Sequence, residues 1–227
     1  MRQFLIIDAD DTLWENNIYF ERAFDGFVEF LAHSSLTPQE VRDVLDDIER
    51  ANARIHGYGS LNFGRNLTET YRHLVERDVC EDDIRTVMGF AERILECPME
   101  VIPGVAETLE HLHGRHDLTL FTKGNPDEQK LKIDRSGLGV WFAHTAIVRE
   151  KDAAAYRALV AERGMDPART WMIGNSPKSD INPALEAGLN AVFVPHAHTW
   201  ILEKQDIVPG VGRLETVAEF GELKKLF

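Results

Sequence analysis

Positive charge is what this sequence has least to spare. Its 227 residues carry 25 Lys and Arg against 38 Asp and Glu, a formal net charge of −13. No cationic surplus exists to neutralise a nucleic-acid backbone or an anionic membrane surface, so neither is an expected partner. An anionic ligand must instead be met by a local positive site. Cysteine is nearly absent as well. Cys80 and Cys97 lack the spacing of a metal-binding pair, which argues against a disulfide or zinc framework and suits a reducing compartment. No apolar run approaches the roughly 18 residues of a membrane-spanning helix. Phe4–Ile7, followed at once by acids, is too short for a secretory signal core. A cytoplasmic location is expected, and no internal repeat or low-complexity tract is present.

What is there is apolar sequence enough for a sizeable core. With 44% apolar and 28% charged residues, the length suits one large domain or a core carrying a smaller insertion. Five short, partly β-branched runs have the character of interior strands in a parallel sheet: Phe4–Ile7, Leu118–Phe121, Thr145–Val148, Thr170–Ile173 and Ala191–Val194. Helical segments separate the last four, the pattern of a doubly wound, Rossmann-like α/β sheet.

Between Trp14 and Pro98 nothing reads as strand. Phe20, Ala23, Phe24, Phe27, Val28 and Leu31 recur at helical spacing and define one apolar face. Thr37-Pro38-Gln39-Glu40 then supplies a capping hydroxyl, a first-turn proline and a capping-box glutamate for a helix through Val41, Val44, Leu45 and Ile48. Further helices are expected at residues 67–75 and 81–95. Residues 15–98 are thus predicted to be an inserted helical cap, with hinges near residues 15–17 and 96–98, and residues 1–14 with 99–227 to form the catalytic core. The stretch from His56 to Asn66, rich in glycine, aromatics and polar groups, is expected to be the least helical part of the cap.

In an open α/β sheet, ligands bind beyond the carboxyl ends of the strands. The residues there are Asp8-Ala9-Asp10-Asp11-Thr12, Thr122-Lys123-Gly124-Asn125, Arg149-Glu150-Lys151, and Gly174 through Asp180. Taken singly, each reads as an ordinary turn, helix cap or solvated lysine. Together they are harder to dismiss. Carboxylates crowded at the edge of a core repel one another and lose solvation, so they call for a cation. Asp8, Asp10 and Asp180, with a neutral oxygen from Asn175, form a hard-oxygen set suited to Mg²⁺. Thr122, the amides after it and Lys151 supply donors and charge for a tetrahedral anion.

These residues resemble the four motifs of the haloacid dehalogenase superfamily, in the branch whose helical cap lies between the first and second motifs. Asp8-x-Asp10-x-Thr12 matches the first, Thr122 the second, Lys151 the third, and Gly174 through Asp180 the fourth. The resemblance implies a Mg²⁺-dependent phosphatase acting on a small phosphorylated metabolite, as a monomer or homodimer. Asp8 would be the nucleophile forming an aspartyl-phosphate, and Asp10 the acid and base. Thr12, Thr122, Lys123, Gly124 and Lys151 would hold phosphate; Asp8, the Asp10 carbonyl, Asn175 and Asp180 would hold the metal. Dehalogenases of the superfamily lack an acid at the place of Asp10, because a halide leaves without a proton. Asn175 stands where many of the phosphatases have aspartate, which leaves a binding-only protein as the other alternative. Asp11 is expected to point outward. Trp14 is expected to contact substrate or to pack at the hinge. His196-Ala197-His198 is expected to have no metal-binding partners nearby.

Overall fold

The computed structural model describes residues 1–227. The chain opens with β1 (Phe4–Ile7) and continues through the helices α1 (Asn17–Leu31), α2 (Pro38–His56), α3 (Ser60–Leu74) and α4 (Glu81–Glu92). It then alternates: α5 (Val105–His113), β2 (Asp117–Lys123), α6 (Pro126–Ser136), β3 (His144–Val148), α7 (Ala153–Arg163), β4 (Thr170–Gly174), α8 (Asn182–Glu186), β5 (Asn190–Phe193) and β6 (Leu214–Thr216). Two compact units result, Met1–Asn17 with Met99–Phe227, and Ile18–Pro98. No helix is long and apolar enough to cross a membrane.

The larger unit is a six-stranded sheet in the order β3-β2-β1-β4-β5-β6, with every neighbouring pair parallel. This is the doubly wound Rossmann-like arrangement. Side chains alternate across a strand, and here both faces are buried. Leu5 and Ile7 join Leu118, Leu120 and Ile173 under Leu109 and Leu112 of α5. Ile6 points the other way, with Phe121 and Met172, against Tyr156 and Leu159 of α7. That two-sided burial is why the central strands read as continuous apolar runs.

The sixth strand was not expected from the sequence. Leu214–Thr216 is an exposed edge of three residues, joined to β5 by backbone pairing alone, with Ala191 opposite Leu214 and Phe193 opposite Thr216. An edge with no buried face leaves no apolar run to read. β2 also reaches farther than expected, so Thr122 and Lys123 are its last residues, paired with Ile147 and Val148.

The smaller unit packs α1 to α4 around Phe24, Phe27, Leu45, Phe63, Leu67, Tyr71 and Val87. Thr37 and Glu40 form the reciprocal capping box of α2, and α4 stops at Glu92, after which Arg93–Glu96 tightens into a 3-10 turn. The expectation for residues 56–66 is corrected, because α3 starts at Ser60 directly after the Gly57–Gly59 break. Gly64 lies inside that helix with Met88 and Ala91 of α4 pressed against it. It is a packing residue, though glycine is a poor helix former.

The loop after β5 is anchored to the sheet by a largely buried ion pair. Glu203 accepts from Lys123 Nζ at 2.6 Å and from Ser176 Oγ at 2.6 Å. Burial alone would raise the Glu203 carboxyl, but Lys123 and the Ser176 and Ser179 hydroxyls hold it below its ordinary value of 4.5. Glu203→Ala should therefore lower stability near neutral pH by about 3 kcal/mol, because Lys123 keeps the longer, half-exposed carboxylate contact to Glu150 at 3.7 Å in place of a buried one and Ser176 loses its acceptor. A depressed carboxylate contributes stability above its unfolded value and loses it as pH falls through the folded one. Urea unfolding should then show the gap to wild type closing below about pH 4.5. A gap that stays constant into acid would count against the pair.

Candidate active site

The strand order reverses between β1 and β4, and a crevice at such a switch point is where doubly wound sheets bind ligands. Asp8 leaves β1 there, its N–H donating to the Ile173 carbonyl of β4 at 2.9 Å. Its side chain is held from two sides: Oδ1 by Lys151 Nζ at 2.5 Å and Oδ2 by the Thr12 hydroxyl at 2.9 Å. The same hydroxyl lies 3.3 Å from Asn175 Oδ1. Asn175 is oriented by Thr199, whose Oγ1 accepts from Asn175 Nδ2 at 2.9 Å. The amide oxygen is thereby turned toward Thr12.

Lys151 also donates to Asp180 Oδ1 at 2.8 Å, and the other Asp180 oxygen accepts the Ser176 N–H at 2.9 Å. Asp180 rides on a single π-helical turn, Pro177–Ile181, after β4, a distortion common at functional sites. Burial first, then the charge of Asp8, pushes Asp180 up to about 7, against the pull of Lys151. Burial would lower the Lys151 ammonium, but Asp180 and Asp8 more than offset it and leave it above the usual lysine value. Two carboxylates face one ammonium, so one negative charge stays uncompensated in a buried place.

Asp10 faces a different set of donors. Its Oδ1 accepts from Trp14 Nε1 at 2.8 Å and its Oδ2 from Gln129 Nε2 at 2.9 Å. Lys132 Nζ lies 2.7 and 2.6 Å from the two oxygens. Burial would raise this carboxyl, but Lys132, Gln129 and Trp14 together hold it below the ordinary aspartate value. Gln129 Oε1 in turn accepts from the Thr122 hydroxyl at 3.3 Å, which ties the end of β2 to Asp10. Gly124 makes this possible: at φ +147° it adopts backbone that favours glycine, and a Cβ there would stand 2.8 Å from Gln129 Nε2.

The structure brings Asp8, Thr12, Lys151, Asn175 and Asp180 together, with Thr122 reaching Asp10 through Gln129. Lys123 and Gly124 are engaged elsewhere: the Lys123 ammonium is held by Glu203 and Ser179, and the Gly124 N–H donates to the Val148 carbonyl at 3.1 Å. Two expectations are corrected. Asp11 is buried, not outward, because its backbone turns at φ +59° and its Oδ1 accepts the Asn16 and Asn17 N–H groups at 2.9 and 3.0 Å. Burial, partly offset by those amides, pushes it up to about 7. His196 does have partners, its ring nitrogens lying 3.8 Å from Asp11 Oδ1 and 3.3 Å from Glu15 Oε2.

The ligand atoms of Asp11, Glu15 and His196 all fall within 4.8 Å of one another. The shortest contacts pair each ring nitrogen with a different carboxylate, Nδ1 with Asp11 and Nε2 with Glu15. Trp14 is fully buried and serves Asp10 from within the core. Sequence reasoning passed over Gln129, Lys132 and Thr199. The first two left a signal, being polar residues three apart on the helix that opens just after Thr122; Thr199 sits in a loop and left none.

With this geometry in view, the similarities of the chain are specific. Residues 4–188 match the haloacid dehalogenase-like hydrolases, and the chain belongs to that family. A haloacid dehalogenase-like hydrolase from Xanthomonas campestris is 30% identical, with 99% of this chain and 90% of that one superposed at a TM-score of 0.86. A phosphoserine phosphatase of Thermus thermophilus is 32% identical over 82 residues, covering 34% of this chain and 33% of the relative. The pyrimidine 5'-nucleotidase YjjG of Escherichia coli is 24% identical over 131 residues, covering 55% of this chain and 56% of its own. The matched segments thus span about a third and just over half of these two relatives.

Gly174 tests how tightly the site is built. A Cβ there would collide with the Asp180 carboxylate and Cβ, and buried side chains at native density leave little room to yield. Gly174→Ala is expected to cost about 2 kcal/mol in thermal or urea unfolding, as overpacking does. Gly114→Ala, where nothing lies within 4 Å, is the control and should be near neutral. Equal effects of the two would show that Asp180 does not press on β4.

Proposed function

We propose that the protein is a phosphatase that hydrolyses a small phosphomonoester through an aspartyl-phosphate on Asp8. The observation that carries this reading is the pair of carboxylates with separate surroundings. Asp8 is fixed by Lys151 and Thr12 with an oxygen facing the Asn175 side. Asp10 is held by its own three donors. One is set to attack and the other to move protons. An Asp8 oxygen forms a bond to phosphorus as the bond to the leaving oxygen breaks, and that oxygen takes a proton from Asp10, which must be charged with one before the step because Lys132, Gln129 and Trp14 favour its carboxylate form. Water then attacks the phosphorus, gives its proton back to Asp10, and regenerates the Asp8 carboxylate.

Lys151 would balance charge on the phosphoryl oxygens, with Thr12 and Thr122 donating to them. Lys123 and Gly124, expected from the sequence to hold phosphate, are less suited because the Lys123 ammonium is tied to the buried Glu203 carboxylate and the Gly124 N–H to the Val148 carbonyl, whereas the Thr12 and Thr122 hydroxyls can rotate. The donor chemistry fits Mg²⁺: the Asp8 carboxylate, the Asp10 carbonyl and the oriented Asn175 oxygen are hard ligands, and one buried negative charge awaits a cation. Asp180 remains a ligand candidate as well: its oxygens accept from Lys151 and the Ser176 N–H, as those of Asp8 accept from Lys151 and Thr12, and each carboxylate oxygen has a further lone pair. When bound, the ion would supply electrostatic stabilisation of the charge on the phosphoryl group. The dehalogenase alternative leaves the proton equipment around Asp10 without a use. The two curated relatives, a phosphatase and a nucleotidase by name, favour the same reading, and a panel of nucleotides, sugar phosphates and phospho-acids would narrow the substrate.

Hydrolysis of an aryl phosphate is expected to require Mg²⁺ and to stop with chelator. Asp8→Asn should reduce turnover roughly a thousandfold or more while the protein stays folded, since an amide is no useful nucleophile. Near wild-type turnover by Asp8→Asn would exclude the covalent route, and a folded wild type inactive with every divalent ion would leave the binding-only alternative.

The metal assignment has its own test. Asn175→Asp adds a negative charge to the ligand set, and ligand charge is a main determinant of affinity at such sites. The Mg²⁺ concentration for half-maximal activity should fall clearly below that of wild type. An unchanged midpoint would mean that Asn175 is not at the ion.

A further inference from the structure

Lys132 enters the chemistry above only as one of the donors to Asp10, yet its ammonium is fully committed. It lies 2.7 and 2.6 Å from the two Asp10 oxygens and 3.0 Å from Asn16 Oδ1, so all three of its N–H groups have acceptors. The contact is shielded, with side-chain exposures of 15% for Lys132 and 21% for Asp10. It is also built from several directions. Gln129, one turn earlier on α6, donates to Asp10 Oδ2, and Trp14 donates to Oδ1 from the core. Gly124 leaves the room that Gln129 needs.

We infer that Lys132 is a positioning residue, which with Gln129 and Trp14 holds the carboxylate of Asp10 in one orientation for its proton transfers. The inference rests on the phosphatase reading given above. A carboxylate on a short side chain can turn about two bonds. A donor engaging both oxygens removes that freedom, in the way that a fixed fork orients a reacting group. Lys132 acts on the reaction through Asp10 alone and does not touch substrate. This separates its effects from those of Lys151, which faces the phosphoryl charge itself.

The kinetic test compares wild type, Lys132→Met and Lys132→Arg on an aryl phosphate, whose leaving group departs without a proton, and on an alkyl phosphate, whose leaving group needs one. Lys132→Met should lower kcat about tenfold to a hundredfold on the alkyl substrate, the range of a general acid's contribution. The loss should be smaller on the aryl one, KM should move little, and Lys132→Arg should recover part of the rate. A raised KM with unchanged kcat would mean that Lys132 binds substrate directly, and equal losses on both substrates would mean a merely structural role; either overturns the inference. A second measurement needs no turnover: urea unfolding of Asp10→Asn, Lys132→Met and the double variant. Contact predicts non-additive effects, with the double variant at least about tenfold more stable in its folding equilibrium than the two single effects combined. Additive effects would show that Lys132 does not hold Asp10. A wild type with no phosphatase activity but a coupled unfolding cycle would reject the functional reading while keeping the clamp.

Discussion

The ammonium of Lys151 stands buried between Asp8 and Asp180, and the order of the sheet's carboxyl edge depends on it. Taking ions out of water costs several kcal/mol each, and the loss is offset only where partners and hydrogen bonds are well placed. Here the three charges come from the ends of β1, β3 and β4, which are not neighbours in sequence. Each can be buried only because the others arrive at the same point. Asp8 further depends on Thr12, and Asp180 on the Ser176 amide. The arrangement still leaves one negative charge in excess. A structure optimised for stability alone would be better served by apolar groups at these positions.

Close approach is what the rest of the site exploits. Gly174 lets the Asp180 carboxylate lie against β4, and Gly124 lets Gln129 cross from α6 to Asp10. Asp11 accepts a backbone conformation unusual for a residue with a side chain and gains two amide hydrogen bonds from it. Such strained positions persist only where neighbouring structure over-determines them, and they gather at functional sites. The sheet supplies that rigidity, since its central strands are covered on both faces.

The same two-sided covering explains what the sequence disclosed. Phe4–Ile7 and Thr170–Gly174 are legible because burial on both faces demands unbroken apolar residues, and the motif residues are legible because they follow those runs. The helix of Pro38–His56 announced itself through its capping box. β6 was illegible because an exposed edge strand is specified by backbone pairing and not by its side chains. The start of α3 was obscured by Gly64, whose smallness serves the packing of α3 on α4 and says nothing favourable about helix. Asp11 misled because charge normally predicts exposure, and only the fold brings the two amides that permit its burial. Lys132 left only its spacing from Gln129 as a signal, and the charged residues around it on α6 made it read as one more solvated lysine.

The two aspartates of the first motif carry the same chemical group two residues apart, and the fold makes them different. Asp8 meets a lysine shared with another carboxylate and a hydroxyl, which leaves it facing the place where positive charge is short. Asp10 meets a lysine, an amide and an indole and shares none of them with another carboxylate, Lys132 also reaching Asn16 and Gln129 also accepting from Thr122. Environment divides roles between identical groups in this way whenever one must bond to the substrate and the other must exchange protons. For a leaving group that departs as a stable anion, the second set of donors would be an expense without return. For an alkoxide leaving from phosphorus, a proton delivered at the right moment lowers the barrier directly. On the phosphatase reading, Asp10 therefore discriminates between the reactions better than Asp8 does, since a nucleophilic aspartate serves both chemistries and a carboxyl that cycles through a proton serves only one.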